Sequence, residues 1–510
     1  MASTNPPSAT NNNNVASSIW QSSAWRETQL LLNLAIPTVI IQLGGVLPNF
    51  VVASYVGRSF GSVYLDGFTL ANLMGNLCNL TLLQGLYTSA DTLGPQAFGA
   101  GNKKEVGLLA IRGYVASLVV LVPINVVLFF GFSKIMVYAG EDVEASRLAH
   151  QWYQIYALGL PFYALYMVAW KFLSAQEIMQ PLILVCIVCC AIILPLSMEF
   201  LTKWFGYLGS AWAIFVYQVS EAVLLIGYLR WKRPHTPGTW PGPHQWREAF
   251  QWEPFQRYFY LGIGGMLACS EWIYWEFLSL LIGTLGVVPL SVHTVPTQVL
   301  MIGFMFPLGI GTALSVRLGA TLPKDVKQAK HLTIGCFCGS AVLFAFIAIW
   351  FYVDRRRIFS LFTSEPDVLE GCERIWLKFA IYYFNLSIYG INMGISTGLG
   401  MQWRFGIVTF ICLWGFSLPG MYYWAIVQGG GLDWAWSCIY PPYIVMNLYF
   451  AYAFWRADWE KIRIDIRIRE GMDEPKNFVE MEEELVPSSN RTVPSYGSVD
   501  DESLKLLTKN

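Results

Sequence analysis

Residues 266–283 read MLACSEWIYWEFLSLLIG, an apolar segment long enough to cross a lipid bilayer as a helix. Two carboxylates, Glu271 and Glu276, stand near its middle, with Trp272 and Trp275 between them. A carboxylate at membrane depth costs about 2.5–3.5 kcal/mol on insertion scales, so a chain that keeps two there is expected to use at least one. We therefore predict that this helix binds a cation and a proton in turn.

The composition of the chain is that of a membrane protein. Of its 510 residues, 55% are hydrophobic and 13% are charged, whereas about a quarter of the residues in a soluble domain are charged. Apolar runs of about 20 residues recur along almost the whole chain, which predicts a polytopic membrane protein. The net charge of −1 indicates no particular partner, and we expect no nucleic-acid partner.

The apolar runs predict an all-α integral membrane fold with twelve transmembrane helices. Each run is read as a helix because a segment in lipid must satisfy its backbone hydrogen bonds internally. Most Lys and Arg residues between the runs fall on the side that the two termini share, so both termini are predicted to be cytoplasmic. The runs lie near 28–56, 66–90, 106–132, 151–172, 181–201, 207–229, 258–284, 289–316, 331–353, 375–397, 405–428 and 432–455.

The chain also repeats itself at long range. AFGAGNKKEVG (97–107) after the second run matches LGATLPKDVKQA (318–329) after the eighth, and SAQEIMQP (174–181) after the fourth matches GLGMQW (398–403) after the tenth. Two similar halves with a site between them are typical of transporters. We therefore divide the chain into a disordered cytoplasmic N-terminus (1–22), an N-half six-helix bundle (23–230), a cytoplasmic linker (231–256), a C-half six-helix bundle (257–456) and a mostly disordered cytoplasmic tail (457–510).

The tail begins with WEKIRIDIRIREGM (459–472), which predicts a short basic helix on the inner leaflet. Farther on, Tyr496–Val499 fits a tyrosine-based sorting pattern and Glu502–Leu507 fits an acidic dileucine pattern. These patterns make sorting adaptors one alternative partner of the tail.

Four stretches together resemble the multidrug and toxin extrusion (MATE) family in its eukaryotic form. They are ADTLGPQAFGAGN (90–102), FLSAQEIMQP (172–181), SEWIYWE (270–276) and PLGIGTALSVRLGATL (307–322). The resemblance implies two six-helix bundles that face each other in a V, and export of organic, often cationic, small molecules in exchange for protons. By the same resemblance, Glu271 and Glu276 are site carboxylates, and Gln42 and Asn76 line the N-half.

The sequence departs from the family pattern at two positions. Leu386 stands where eukaryotic relatives often have a carboxylate in the tenth helix, and Gln298 stands at an eighth-helix position that is acidic in animal members. Glu221, in the middle of an apolar N-half run, either replaces the missing carboxylate or pairs with a neighbour such as Gln218.

Helical geometry divides the tasks of the two central carboxylates. Five residues of α-helix turn about 500°, so Glu271 and Glu276 point about 140° apart, one toward the central cavity and one into the C-half. Trp275 is expected beside Glu271 and Trp272 beside Glu276, each at i,i+4 spacing. A carboxylate beside an indole suits an organic cation, and burial of a carboxyl group favours its protonated form. Holding either the proton or the cation, but not both, would couple their opposite movements.

The leading prediction is a proton-coupled antiporter, not an enzyme, that exports organic cations, xenobiotics or secondary metabolites by alternating access. One alternative is export of neutral or anionic phenolic metabolites. Another is a membrane-bound transferase that uses His293. His293 is also compatible with a proton relay or with a satisfied buried histidine. Cys186, Cys189 and Cys190 are interpreted as helix-packing residues, so no metal site is expected.

The remaining expectations concern cofactors, partners and location. The sequence lacks GxxxxGK[ST], so we expect a proton gradient rather than ATP as the energy source, with Na⁺ as an alternative to H⁺, and no cofactor. The expected partners are a small organic substrate, protons and the lipid bilayer, around a monomer. The expected location is the plasma membrane or a vacuolar or lysosomal membrane.

Overall fold

The computed structural model describes residues 9–240, 242, 245–363 and 365–473, with residues 9–25 as backbone alone. Every regular element in these ranges is helical. The N-half contains α1 (Ala9–Phe60), α2 (62–99), α3 (Lys103–Tyr138), α4 (Val143–Ser174), α5 (Gln180–Phe205) and α6 (Leu208–Lys232). A short helix, Trp246–Ala249, lies in the linker.

The C-half has the same number of membrane segments. They are α7 (252–283), α8 (Val287–Thr321), α9 (Val326–Val353), α10 (Pro366–Leu399), α11 (Gln402–Val427) and α12 (Gly431–Arg456), with a short helix Arg355–Ser360 between α9 and α10. A final helix, α13 (Trp459–Arg469), follows. Eight of the described helices are long and apolar enough to cross a membrane by length and composition, and α2, α7, α10 and α12 complete the twelve predicted segments.

Several segments are not continuous α-helix. The helix axis of α7 is interrupted at Cys269, and that of α8 at Phe304. Single π-helical stretches occur in α2 at Asn76–Leu80 and in α5 at Cys189–Ile193, and α11 has two, at Ile411–Ser417 and Tyr422–Val427. Such irregular turns change the direction in which side chains point, and they are frequent at functional sites. In α2 and α7 they lie beside the middle of the molecule.

Residues 9–22, which belong to the N-terminal segment predicted to be disordered, are the first part of α1 in this structure. Once a membrane helix is nucleated, each added residue gains a hydrogen bond, so the helix extends into the polar Asn- and Ser-rich segment. Residues 1–8 lie outside the described residues. So does the chain from residue 474 on, with both sorting patterns and most of the predicted disordered tail.

The two halves meet at one end of the bundle, which we call the linker end because residues 233–240, residues 245–251 and α13 lie there. The contacts join residues 81–99 of α2 to residues 252–268 of α7 and 305–321 of α8, and join α1 to α8. At the α2–α7 crossing, Gly85 and Gly265 lie backbone to backbone with no room for a Cβ atom. Toward the opposite end, the described segments of the two halves form no comparable contacts, so the halves diverge in a V.

Hydrogen bonds and ion pairs also hold the linker end together. Thr92 Oγ1 donates to the carbonyl of Thr397 at 2.6 Å, and Gln96 Nε2 donates to that of Gly398 at 2.8 Å. Within the N-half, the partly buried Asp91 carboxylate lies 2.7 Å from Nζ of the buried Lys171. The buried Arg112 pairs with Glu105 and donates to the Ala249 carbonyl at 3.1 Å. Asp91 and Arg112 therefore stabilise this end of the N-half.

The predicted basic helix of the tail is present as α13, and it is docked on the protein. Trp459 and Ile466 are buried. Arg469 Nη2 donates to Gln96 Oε1 of α2 at 2.8 Å, and Arg467 Nη1 donates to the Pro323 carbonyl at 3.4 Å. The helix therefore contacts the N-half and the C-half at the linker end.

Candidate functional site

A cavity of about 340 Å³ lies between the two halves, beyond the closed linker end. All seven residues that the sequence singled out line it. Gln42, Asn76 and Glu221 come from the N-half, and Glu271, Trp272, Trp275 and Glu276 come from the C-half. The structure thus brings residues from α1, α2, α6 and α7 to one space.

Glu271 lies where the cavity borders the interior of the C-half. It is in the first turn of the second part of α7, directly after the interruption at Cys269, and only 3% of its surface is exposed. Its Oε1 atom accepts hydrogen bonds from Tyr443 Oη at 2.8 Å and from Trp275 Nε1 at 3.1 Å. Two donors on one oxygen orient the carboxyl group and leave Oε2 without a hydrogen bond to any described residue.

Glu276 is less enclosed than Glu271. It is half-buried, lines the cavity, and forms no hydrogen bond or ion pair with the described residues. The division of tasks expected from the 140° angle is therefore seen in part. Glu271 points toward the C-half interior and Glu276 toward the cavity, but Glu271 reaches the edge of the same cavity.

The predicted neighbour of Glu271 is in place, with a different contact from the one expected. Trp275 meets the carboxylate through its indole N–H, not through the ring face. Its ring lies 5.3 Å from that of Tyr382, centroid to centroid. Trp272 is in the same cavity wall as Glu276.

The N-half wall contains a deeply buried acid among aromatic side chains. Glu221 is 4% exposed. The side chains of Tyr163, Tyr166 and Tyr217 line the same cavity as Glu221. The predicted alternative partner, Gln218, forms no hydrogen bond with Glu221 and leaves its own Oε1 atom without one among the described residues.

Sequence reasoning missed the aromatic part of this wall. Tyr163, Tyr166 and Trp170 of α4 line the cavity together with Tyr217 of α6. The spacing of the first three places them on one face of α4, a pattern that is visible in the sequence. The same pattern is typical of ordinary core packing, so it predicts a site only when the facing acid is known.

Among the described residues that line the cavity there are three glutamates and no lysine or arginine. The C-half positions that depart from the family pattern contribute no charge, since Leu386 lines the cavity as an apolar residue. The electrostatic character of the cavity is therefore acidic.

His293, the residue of the transferase alternative, lies in the C-half at 1% exposure. Its Nε2 atom is 3.3 Å from Ser279 Oγ and 3.4 Å from Thr297 Oγ1, and its ring is nearly parallel to that of Trp275. No carboxylate is among its described hydrogen-bond partners. A transferase that uses this histidine would need an asparagine or an acid beside it, and neither is among its hydrogen-bond partners in the described residues.

Comparisons with known proteins agree with this architecture. The chain matches the MatE family model over residues 37–199 and 266–423, one match in each half. It is 31% identical to multidrug and toxin extrusion protein 1 of Homo sapiens over 405 residues, which cover 78% of this chain and 69% of the human protein. It is 27% identical to multidrug and toxin extrusion protein 2 of Mus musculus over 464 residues, which cover 89% of this chain and 78% of the mouse protein.

The solved structures give the same fold. The crystal structure of the eukaryotic MATE transporter AtDTX14 matches with a TM-score of 0.80 at 21% identity, and the match covers 88% of this chain and 99% of that one. The family match spans more than half of the chain. The protein therefore belongs to the multidrug and toxin extrusion (MATE) family of multi-pass membrane transporters and is not an enzyme.

Proposed function

We propose that the protein exports small organic cations, including xenobiotics and cationic secondary metabolites, in exchange for protons by alternating access. The observation that carries this proposal is the charge of the cavity, which three glutamates line and no lysine or arginine does. An organic anion entering this space would meet like charge whenever one of these carboxylates is ionised, which is strongly unfavourable in a region of low dielectric. An organic cation gains charge neutralisation there together with attraction to the aromatic faces.

Mutual exclusion at the α7 carboxylates supports coupling to protons. A cation bound next to an ionised Glu276 or Glu271 is attracted by a full charge, and protonation of the same group removes that charge. The proton and the organic cation therefore compete for one site. Competition of this kind moves them in opposite directions when the site faces the two sides of the membrane by turns.

The ligands around Glu271 favour H⁺ over Na⁺. A sodium ion needs several oxygen lone pairs as ligands. Tyr443 and Trp275, however, contact Oε1 of Glu271 as hydrogen-bond donors. The indole N–H of Trp275 has no lone pair to offer a metal ion. A proton needs only one carboxylate oxygen, and Oε2 of Glu271, which has no hydrogen bond to a described residue, can accept it.

Alternating access fits the way the halves are joined. Contacts between the halves are concentrated at the linker end, so separation there, with approach at the opposite end, would expose the cavity to the other side. The basic loops of the linker end support a cytoplasmic location for that end and for both termini. The structure then corresponds to a state closed to the cytoplasm, in a monomer at the plasma membrane or a vacuolar or lysosomal membrane, with a proton gradient as its energy source and no cofactor.

The test is uptake of a fluorescent organic cation into proteoliposomes with an acidic interior. Wild type is measured beside Glu276→Gln, Glu271→Gln and the control Glu199→Gln, which changes an exposed carboxylate that pairs with Lys203 at 2.5 Å. We expect uptake that a protonophore abolishes and that falls about tenfold or more in Glu276→Gln or Glu271→Gln, a loss equivalent to about 1.4 kcal/mol. Gradient-dependent uptake that both α7 substitutions leave unchanged would refute the assigned site.

A further inference from the structure

Glu221 lies on the cavity wall opposite to the α7 carboxylates. It belongs to α6 of the N-half, whereas Glu271 and Glu276 belong to α7 of the C-half. Its 4% exposure means that most of its surface is covered by protein. A buried carboxylate with no cationic partner is costly, and no lysine or arginine lines the space that it faces.

The surroundings of Glu221 have the composition of a cation receptor. Tyr163 and Tyr166 of α4 and Tyr217 of α6 line the same cavity as Glu221. Several aromatic faces around a negative group form the kind of cage that recognises ammonium-type cations. The Tyr217 hydroxyl, 3.5 Å from Cys190 Sγ, is held in place against α5.

The α7 wall of the cavity offers a separate group of acidic and aromatic side chains that can bind a cation. Glu276 has no described hydrogen-bond or ion-pair partner there, and Trp272 and Trp275 supply aromatic surface. The N-half and C-half walls thus each contain an acid beside aromatic rings. A ligand with one positive charge neutralises one of them, whereas a ligand with two separated charges neutralises both.

We propose that Glu221, with Tyr163, Tyr166 and Tyr217, forms a second cation subsite, and that the transporter therefore prefers organic dications whose second charge lies at Glu276. This inference rests on the proposed function, since it specifies the substrate class of the same cavity. A dication bridges the two halves and is held by both until protonation releases it.

The experiment compares two probes with the same two-ring skeleton. The dication is 1,1′-dimethyl-4,4′-bipyridinium and the monocation is 1-methyl-4-phenylpyridinium, each offered to proteoliposomes with an acidic interior. We expect wild type to have a lower KM for the dication. Glu221→Gln should raise the dication KM about tenfold, as expected for the loss of about 1.4 kcal/mol of binding free energy, and should raise the monocation KM by a smaller factor, about twofold, because Glu276 and Glu271 remain to neutralise a single charge.

Two control variants separate the charge and ring effects from a loss of folding. Glu199→Gln makes the same chemical change at an exposed position of α5 and should alter neither KM. Tyr163→Leu, which removes a ring of the cage, should raise the dication KM, whereas Tyr163→Phe, which keeps the ring, should not.

The outcomes that overturn the inference differ from those that overturn the proposed function. An equal effect of Glu221→Gln on both probes, or no effect on either, would overturn the second subsite while gradient-driven monocation uptake leaves the proposed function in place. Failure of wild type to carry either probe under a proton gradient would overturn both.

Discussion

Arg317 and Glu27 form a two-pronged ion pair between the halves, in which Nε lies 3.0 Å from Oε2 and Nη2 lies 2.9 Å from Oε1. Arg317 is on α8 of the C-half and Glu27 is on α1 of the N-half. Arg317 Nη1 reaches a second N-half carboxylate, Glu177, at 2.7 Å. Bidentate charge-assisted hydrogen bonds are among the strongest in proteins. We therefore expect this cluster, which we call the Arg317 cluster, to hold the two halves together at the linker end.

Loss of the Arg317 cluster should weaken the contact between the two halves at the linker end. Arg317→Gln leaves Glu27 and Glu177 partly buried without their guanidinium partner, which is expected to cost about 1–3 kcal/mol. We expect faster amide hydrogen exchange in residues 90–102, measured by mass spectrometry. The matched control is Arg147→Gln, which breaks an exposed pair with Glu144 at 2.6 Å and should leave the exchange unchanged. Equal exchange in all three proteins would show that Arg317 does not hold the closed state.

The donors on Glu271 should matter for transport. Tyr443→Phe removes the hydroxyl that lies 2.8 Å from Oε1 and keeps the ring. A hydrogen bond to a charged group is worth about 1.5–3 kcal/mol, so we expect proton-driven cation uptake to slow by about tenfold or more. Tyr452→Phe, at an exposed position of the same helix, provides the control. Undiminished uptake in Tyr443→Phe would mean that the orientation of Glu271 is unimportant.

Close backbone contact at the α2–α7 crossing should tolerate no added methyl group. A Cβ atom on Gly85 would overlap the backbone of Met266, which cannot move away cheaply. Overpacking of this kind costs about 1–3 kcal/mol, so Gly85→Ala should lower the midpoint of thermal unfolding in detergent. Gly227→Ala places the same methyl group in open space on α6 and should not lower it. A midpoint for Gly85→Ala equal to that of the control would contradict this contact.

Helix α13 should protect the loop between α2 and α3. Arg469 donates to Gln96, which itself donates to the Gly398 carbonyl, so one chain of hydrogen bonds joins α13 to both halves. We expect Arg469→Gln to increase amide exchange at residues 97–103. Arg456→Gln, at the exposed end of α12, should have no effect there. If Arg469→Gln also left exchange unchanged, α13 would be a passive neighbour of the linker end.

The membrane architecture was predictable because lipid imposes a strong rule on sequence. Apolar runs of sufficient length must be helices, and twelve were found where they were predicted. Irregular turns escaped prediction, because the interruption of α7 at Cys269 has no proline to mark it and is decided by packing against other segments. The helical start of α1 was not predicted either, since polar composition indicates disorder when a nucleated helix is not considered.

The acidic residues of the site were predictable from the sequence, because each of them is costly to place in a membrane helix. Glu271, Glu276 and Glu221 stood out because acids in apolar runs are expensive. Their partners did not, since Tyr443 is 172 residues from Glu271 in the chain and no local pattern connects the two. The tyrosines around Glu221 resembled ordinary core residues until the fold placed them beside an acid.

Competition between the proton and the organic cation is the central claim, and proton release on binding tests it most directly. Purified protein in weakly buffered detergent is mixed with 1-methyl-4-phenylpyridinium, and the pH is followed with an indicator beside calorimetric binding. We predict that binding releases protons from wild type and from Glu199→Gln, and that Glu276→Gln or Glu271→Gln abolishes the release. Tight binding of the cation to wild type with no release of protons would contradict the account.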